Sequence, residues 1–263
     1  TAYASAPTPA AMLHAGVLKK FGLYGLIRIA VPLLPAGAQH WATLLLVLLV
    51  GNVIYIGLVT IAQKRLDLML GYSSVMHMGY IFLGIASANV IGLNGAAVLM
   101  FAHGISIALL FALAGEIRRR TGTLVFADLG GLGKLMPFIG FAFGVATFAS
   151  IGLPGFANFA ADVMIFFGAF RVGAEWQGFH LFQVATALAL WGVVISAVYM
   201  LRAYRAIFMG SPNERLSACP DLAHTLRLPI VLLIAATMIV GFFPNTFLHL
   251  LQPTFSAPVA ANR

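Results

Sequence analysis

The sequence predicts an all-α protein, a polytopic membrane helix bundle of about seven transmembrane spans with one broken helix. Three observations carry this reading. The 263 residues are 61% hydrophobic and 8% charged, with a mean hydropathy of +0.99; soluble globular domains carry far more charge. Apolar runs of about 20 residues, the length a helix needs to cross the hydrocarbon, recur from end to end. One of these runs, Lys134 to Arg171, is interrupted by Gly152-Leu153-Pro154-Gly155 and carries a single acid, Asp162.

The expected spans cover 9–34, 41–62, 67–87, 93–115, 135–170, 178–201 and 226–250, within a single membrane domain, 1–263. The first holds Lys19 and Lys20 in its middle and Arg28 near its far end, where a long side chain snorkels to the interface. The second is uncharged from Trp41 to Ala62. The third holds His77 and the fourth His103, each near its centre. The fifth breaks at 152–155: Pro154 removes an amide donor, while Gly152 and Gly155 loosen the backbone. Irregular backbone at membrane depth is tolerated only where it is buried in protein or lines a wet cavity. The sixth and seventh follow, and the tail after Gln252 is small and polar.

Loop charges decide whether the broken run crosses once or twice. With one crossing, Lys64, Arg65, Arg118, Arg119, Arg120, Lys134, Arg202, Arg205, Arg215 and Arg227 share the side where the chain begins, and Arg171 and Arg263 lie opposite. Two crossings would move Arg202, Arg205, Arg215 and Arg227 across and spoil the bias. The positive-inside rule therefore favours one crossing with the basic loops cytoplasmic, in the inner (plasma) membrane of a cell. The net charge of +8 is read as topology, not as nucleic-acid binding. Cys219, the single cysteine, rules out an internal disulfide or thiolate metal cluster within the chain. No phosphate loop, metal-ligand spacing, His-Glu-x-x-His or Gly-x-Ser-x-Gly occurs, so no metal or cofactor site is expected here.

The chemistry concentrates in a few intramembrane polar residues. Lys20 sits near the expected midplane, too deep to snorkel to either surface. Lys19 is about 100° away around the helix, so one lysine faces the bundle while the other finds a different partner. A desolvated amine of this kind can take and release a proton. A lone histidine in an apolar helix is as often a core residue as a functional one. Two of them beside Lys20 and Asp162 make a proton relay the better reading. Asn158 lies one helical turn before Asp162 and is placed to hydrogen-bond it.

At Gly71-Tyr72-Ser73-Ser74-Val75-Met76-His77-Met78-Gly79-Tyr80 the chain resembles the signature of the antiporter-like subunits of respiratory complex I. Further agreement, in order, comes at Ala6-Pro7-Thr8, Ala15-Gly16-Val17-Leu18-Lys19-Lys20, Phe101-Ala102-His103-Gly104, Leu129-Gly130-Gly131-Leu132, and Gly152-Leu153-Pro154-Gly155 through Asn158 to Asp162. An acid in the broken helix, where sister chains carry lysine, is similar to the M (chain 4) branch. The resemblance implies that Lys20 is the family's central lysine, His77 and His103 its paired histidines, and Asp162 its broken-helix acid. These form a hydrated axis that carries protons, driven by electron transfer elsewhere. NADH, FMN, iron–sulfur clusters and quinone would then be bound by partner subunits, making this chain a non-redox subunit of NADH:quinone oxidoreductase. The family fold has two inverted repeats, each with a broken helix. This chain carries one, so its implied partners are the N-terminal half of the subunit, the other membrane and peripheral subunits, and the lipid bilayer. The family's Glu is here the shorter Asp162, Asp67-Leu68-Met69 replaces a usual Lys-Arg-Leu, and Tyr3 and Ser5 stand where the family has His and Glu. Two alternatives share the fold: a multisubunit cation/proton antiporter, and a scaffold segment such as that of a membrane-bound hydrogenase.

Overall fold

In hydrocarbon, an apolar segment can satisfy its backbone only internally. The described residues are accordingly helical, with no strand beyond an isolated antiparallel bridge between Arg65 and Val125. The computed structural model describes residues 5–172, 180–212, 214–216 and 219–250. Tyr3, Arg263, the first two residues of the expected sixth span and the tail after Gln252 lie outside them.

The chain opens with a segmented rod: α1 (Thr8–Leu13), a π-helical turn (His14–Leu18), α2 (Lys20–Gly25), a second π turn (Leu26–Ala30) and α3 (Val31–Leu33). Next come α4 (Pro35–Gly51), a π turn (Asn52–Ile56) and α5 (Gly57–Ala62), which together form a continuous candidate span. In that π turn, Asn52 Nδ2 donates to the carbonyl of Val75 at 3.0 Å, tying the second span to the third. The third span is α6 (Leu66–Ala86), and the fourth is α7 (Val90–Thr121). A short α8 (Leu132–Leu135) leads to α9 (Pro137–Ile151) and α10 (Ala157–Phe170), the two halves of the broken helix. The bundle ends with α11 (Leu181–Phe208) and α12 (His224–Phe242). Among the described residues, 5 helices are long and apolar enough to cross a membrane: Pro35–Ala62, α6, α7, α11 and α12. The first rod and the broken pair stand outside that count because a turn at Lys19 divides the one and the break divides the other.

Contacts at the two ends show how the broken pair runs. Backbone amides of Phe138 and Ile139, at the start of α9, donate to Asp221 in the loop before α12. Beside them Arg120 donates to the carbonyl of Pro220 at 2.9 Å and Arg202 to that of Gln63 at 2.7 Å, gathering the basic residues at one end. At the end of α10, the carbonyl of Gly168 accepts from Asn89, the residue that caps the start of α7, at 2.7 Å. α9 and α10 therefore traverse the bundle once between opposite ends.

Several helices differ in length from the sequence expectation, for local reasons. α7 starts earlier because Asn89 accepts from the amide of Gly92 at 2.9 Å, and runs on into the basic end, where Glu116 pairs with Arg119 and Arg120. It stops at Gly122 with φ 74°. α12 ends at Phe242 rather than running through to 250. Phe243, pushed out of helical geometry by the following Pro244, separates it from helical residues 244–250. Asp67, unusual at its position, sits in the first turn of α6, where an acid complements the helix dipole, and pairs with Arg65 at 2.8 Å.

α7 is the hub. It packs against the first rod, α6, α9, α10 and α12. Its closest approach is to α10, and Gly95 makes that possible: a Cβ there would lie 2.8 Å from the backbone nitrogen of Ile165 and 3.0 Å from the carbonyl of Ala161. Small residues at such contacts let helix backbones meet in a membrane, where packing replaces the hydrophobic effect. On the outside, α4, α11 and α12 expose Leu44, Val47, Trp191, Val194, Leu232 and Ile239, a face suited to lipid. The protein is membrane-embedded. Gly95→Ala is expected to destabilise it by about 1–3 kcal/mol, because backbone cannot step aside as a side chain can. Gly51→Ala, which meets nothing within 4 Å, is expected to be neutral or slightly stabilising. Thermal unfolding of both variants in detergent checks the contrast.

Candidate functional site

The break is built by a four-residue turn. The amide of Phe156 donates to the carbonyl of Leu153 at 3.2 Å, with Pro154 second and Gly155 third at φ 95°. That is the residue order of a type II turn, in which the third position needs positive φ. Gly152 closes α9 in the left-handed region at φ 82°. It also makes room for the acid: a Cβ on Gly152 would lie 2.9 Å from Asp162 Oδ2. The turn and the carboxylate thus occupy the same place. Asp162 is buried, and its Oδ1 finds no hydrogen-bond partner among the described residues.

From the other side a second string of polar groups enters. Lys19 Nζ donates a short hydrogen bond to Ser74 Oγ on α6, and Ser74 Oγ is 2.8 Å from His103 Nε2 on α7. The His103 and His77 rings lie 4.8 Å apart between centroids, and His77 meets Tyr80 edge-on at 5.4 Å. Tyr80 in turn meets the ring of Phe166 on α10 edge-on at 5.6 Å, one helical turn after Asp162. One line of polar side chains therefore runs from the first rod through α6 and α7 toward the break. Many of its atoms have no partner among the described residues: both His77 nitrogens, Tyr80 OH and His103 Nδ1. Asp162 Oδ1, Thr147 Oγ1, Asn94 Oδ1 and Asn158 Oδ1 are also buried without a partner among the described residues. A buried polar atom left dry costs about 1–3 kcal/mol, so a file of them is a place for water.

The expected site residues are distributed unevenly along this line. His77 and His103 belong to it, and Asp162 lies on α10 one turn before Phe166, where the ring contacts end. Lys20 is buried beside the line, but donates to carbonyls of its own helix, Ala15 at 2.7 Å and Gly16 at 2.9 Å. Lys20 also borders an open apolar groove of about 680 Å³ that includes Met12, Tyr24, Phe101 and Leu233. The lysine joined to His103 through a shared hydroxyl, that of Ser74, is Lys19. Asn158 does not bond Asp162 as its one-turn spacing suggested. Its Nδ2 points instead to Ser106 Oγ on α7, at 3.5 Å. Sequence reasoning missed Ser74, Tyr80 and the part played by Lys19. The signal was present in the paired lysines and in two serines directly before the His77 turn, but only the packing of three helices joins them.

Fold and site together define a polytopic membrane protein with a file of ionisable side chains leading to a broken helix. A family model described as NADH:quinone oxidoreductase/Mrp antiporter, transmembrane region, matches residues 1–189. The chain belongs to that family. It is 36% identical over 256 residues to an NAD(P)H-quinone oxidoreductase chain 4 of Trichormus variabilis, covering 96% of this chain and 48% of the relative. It is 34% identical to NADH-quinone oxidoreductase subunit M of Rickettsia typhi, covering 94% and 49%. A chain of respiratory complex I from Thermus thermophilus with bound NADH superposes with a TM-score of 0.85 at 30% identity, over 96% of this chain and 52% of that one. A chain of the Mrp complex from Dietzia shares the fold, with a TM-score of 0.84 at 22% identity. The chain spans about half the length of the curated relatives it matches, 48% in the first case.

The geometry at the break sets an expectation. Gly152→Ala should be destabilising by more than about 1 kcal/mol, since alanine is strained at positive φ and its Cβ would press on Asp162. Removing the carboxylate relieves only the second part. The double variant Gly152→Ala/Asp162→Ala should therefore lose less stability than the sum of the singles, a coupling that a double-mutant cycle of melting temperatures would read.

Proposed function

We propose that this chain is a proton-translocating, non-redox membrane part of an NADH:quinone oxidoreductase of the chain 4 or M type. The observation that carries the proposal is the line from Lys19 and Ser74 through His103 and His77 to Tyr80, which meets the helix that carries the buried Asp162, set inside a fold of that family. In this reading water satisfies the unpartnered atoms of the line and protons pass along it. Lys20, His77, His103 and Asp162 act as relay groups. Pro154, Gly152 and Gly155 hold the break open, and Asn158 supports it from the side. NADH, FMN, iron–sulfur clusters and quinone are handled by partner subunits. The remaining length of the relatives supplies the second repeat, and the apolar groove beside Lys20 is the face that repeat covers.

The proton role rests on exchangeable protons rather than shape. Asp162→Asn keeps the shape and a hydrogen-bonding group but cannot carry a proton. It is expected to lower NADH-driven proton uptake by membrane vesicles about tenfold or more while the complex still assembles. Asp162→Glu is expected to retain uptake. Normal proton-to-electron stoichiometry in an assembled Asp162→Asn complex would remove the relay role. Uptake driven by a sodium gradient instead of NADH would point to an antiporter.

The orientation we propose places the basic end in the cytoplasm, following the positive-inside rule. Cys219 lies at that end, with its Sγ 3.3 Å from the carbonyl of Arg120, and is the single thiol in the sequence. An impermeant maleimide is expected to label it in inside-out vesicles and not in intact cells. Labelling from outside would invert the topology.

A further inference from the structure

We infer that Lys19 is the group that exchanges protons directly with His103, through the hydroxyl of Ser74. This inference rests on the proton-path reading above. Sequence spacing alone singles out Lys20, but Lys20 donates to the carbonyls of Ala15 and Gly16, whereas Lys19 is the lysine hydrogen-bonded to a partner of His103. Lys19 Nζ meets Ser74 Oγ, and the same oxygen lies 2.8 Å from His103 Nε2. Ser74 is fully buried and His103 nearly so, leaving this bridge little competition from bulk water.

The polarity of the bridge follows from its donors. An ammonium has protons to give and no lone pair, so Lys19 donates and Ser74 Oγ accepts. In the tautomer with the neutral ring's proton on Nδ1, the hydroxyl proton of Ser74 points to the unprotonated His103 Nε2, and this is the tautomer we assign to the transfer. Transfer is a concerted shift. One N–H bond of the Lys19 ammonium breaks as its proton joins Ser74 Oγ. The original O–H bond of Ser74 breaks as that proton joins His103 Nε2. The products are a neutral Lys19 amine, an unchanged serine and a His103 imidazolium; no atom or electron is gained or lost. The imidazolium can release its other proton from Nδ1, an atom with no partner among the described residues, on the ring that packs against His77.

The test uses vesicles carrying the native complex that contains this chain, energised with NADH, with assembly checked on native gels. Lys19→Met removes the amine, and Ser74→Ala removes the bridge. Lys19→Arg and Lys19→Gln keep a donor to Ser74 but bring a guanidinium that holds its proton, or an amide with none to give. All four are expected to lower the initial rate of proton uptake by about tenfold or more. The Lys19→Met/Ser74→Ala double variant should fall no further than either single, as for two members of one wire. A purely structural Lys19 would instead be rescued by arginine or glutamine. Uptake within about twofold of the parent in assembled Lys19→Arg or Lys19→Gln overturns the inference. His103→Ala and Asp162→Asn run alongside: if these lose uptake while the Lys19 variants keep it, only the Lys19 inference falls. If they too keep uptake, the proton-path reading falls with it.

Discussion

The close contact between α7 and α10 is the constraint on which the rest of the structure depends. A lipid-embedded helix gains little from hiding apolar surface, because the solvent outside it is also apolar. Association must come from close packing, and Gly95 lets the α10 backbone approach within a distance that any side chain would prevent. α10 begins at the break, so its seating on α7 fixes where the turn through Leu153-Pro154-Gly155 falls. It also fixes the depth at which Asp162 is held. The hydrogen bond from Asn89 to Gly168 locks the far end of the same helix.

That seating brings three helices with polar side chains to one axis. α6 contributes Ser74, His77 and Tyr80, α7 contributes His103, and α10 contributes Asp162. None of these would be stable against hydrocarbon. Each is buried, and several keep atoms unpaired by protein. The bundle is otherwise tightly packed, so a concentration of unmatched polar atoms along one line is a departure with a physical cost. Such departures persist where they serve a function, and ionisable groups within a membrane are the most expensive of them. The break in α9–α10 belongs to the same pattern. Gly152 is needed twice over, for its left-handed backbone and for the room it leaves the carboxylate.

Much of this was legible in the chain alone. Hydrophobic composition and run length require a helical membrane bundle, because hydrocarbon leaves the backbone no other partner. Pro154 between two glycines marks the break because a missing donor and permissive dihedrals are local properties. His77, His103 and Asp162 stand out because polar residues are so scarce around them. The bias of Lys64, Arg118, Arg202 and their neighbours toward one face likewise follows from counting crossings alone.

What tertiary structure alone decided was which neighbours those residues meet. A one-turn spacing put Asn158 beside Asp162, yet α7 offers Ser106 and the amide turns to it. Two adjacent lysines cannot be ranked by helical angle, since long flexible stems reach different partners from neighbouring positions. The structure sends Lys20 back to its own carbonyls and Lys19 across to Ser74. The sequence by itself determined the fold class, the break and most of the ionisable groups, because these depend on solvent and on local backbone chemistry. The order in which the groups touch depends on contacts between residues distant in the chain, Lys19 with Ser74 and Ser74 with His103, and only the packed helices supply it.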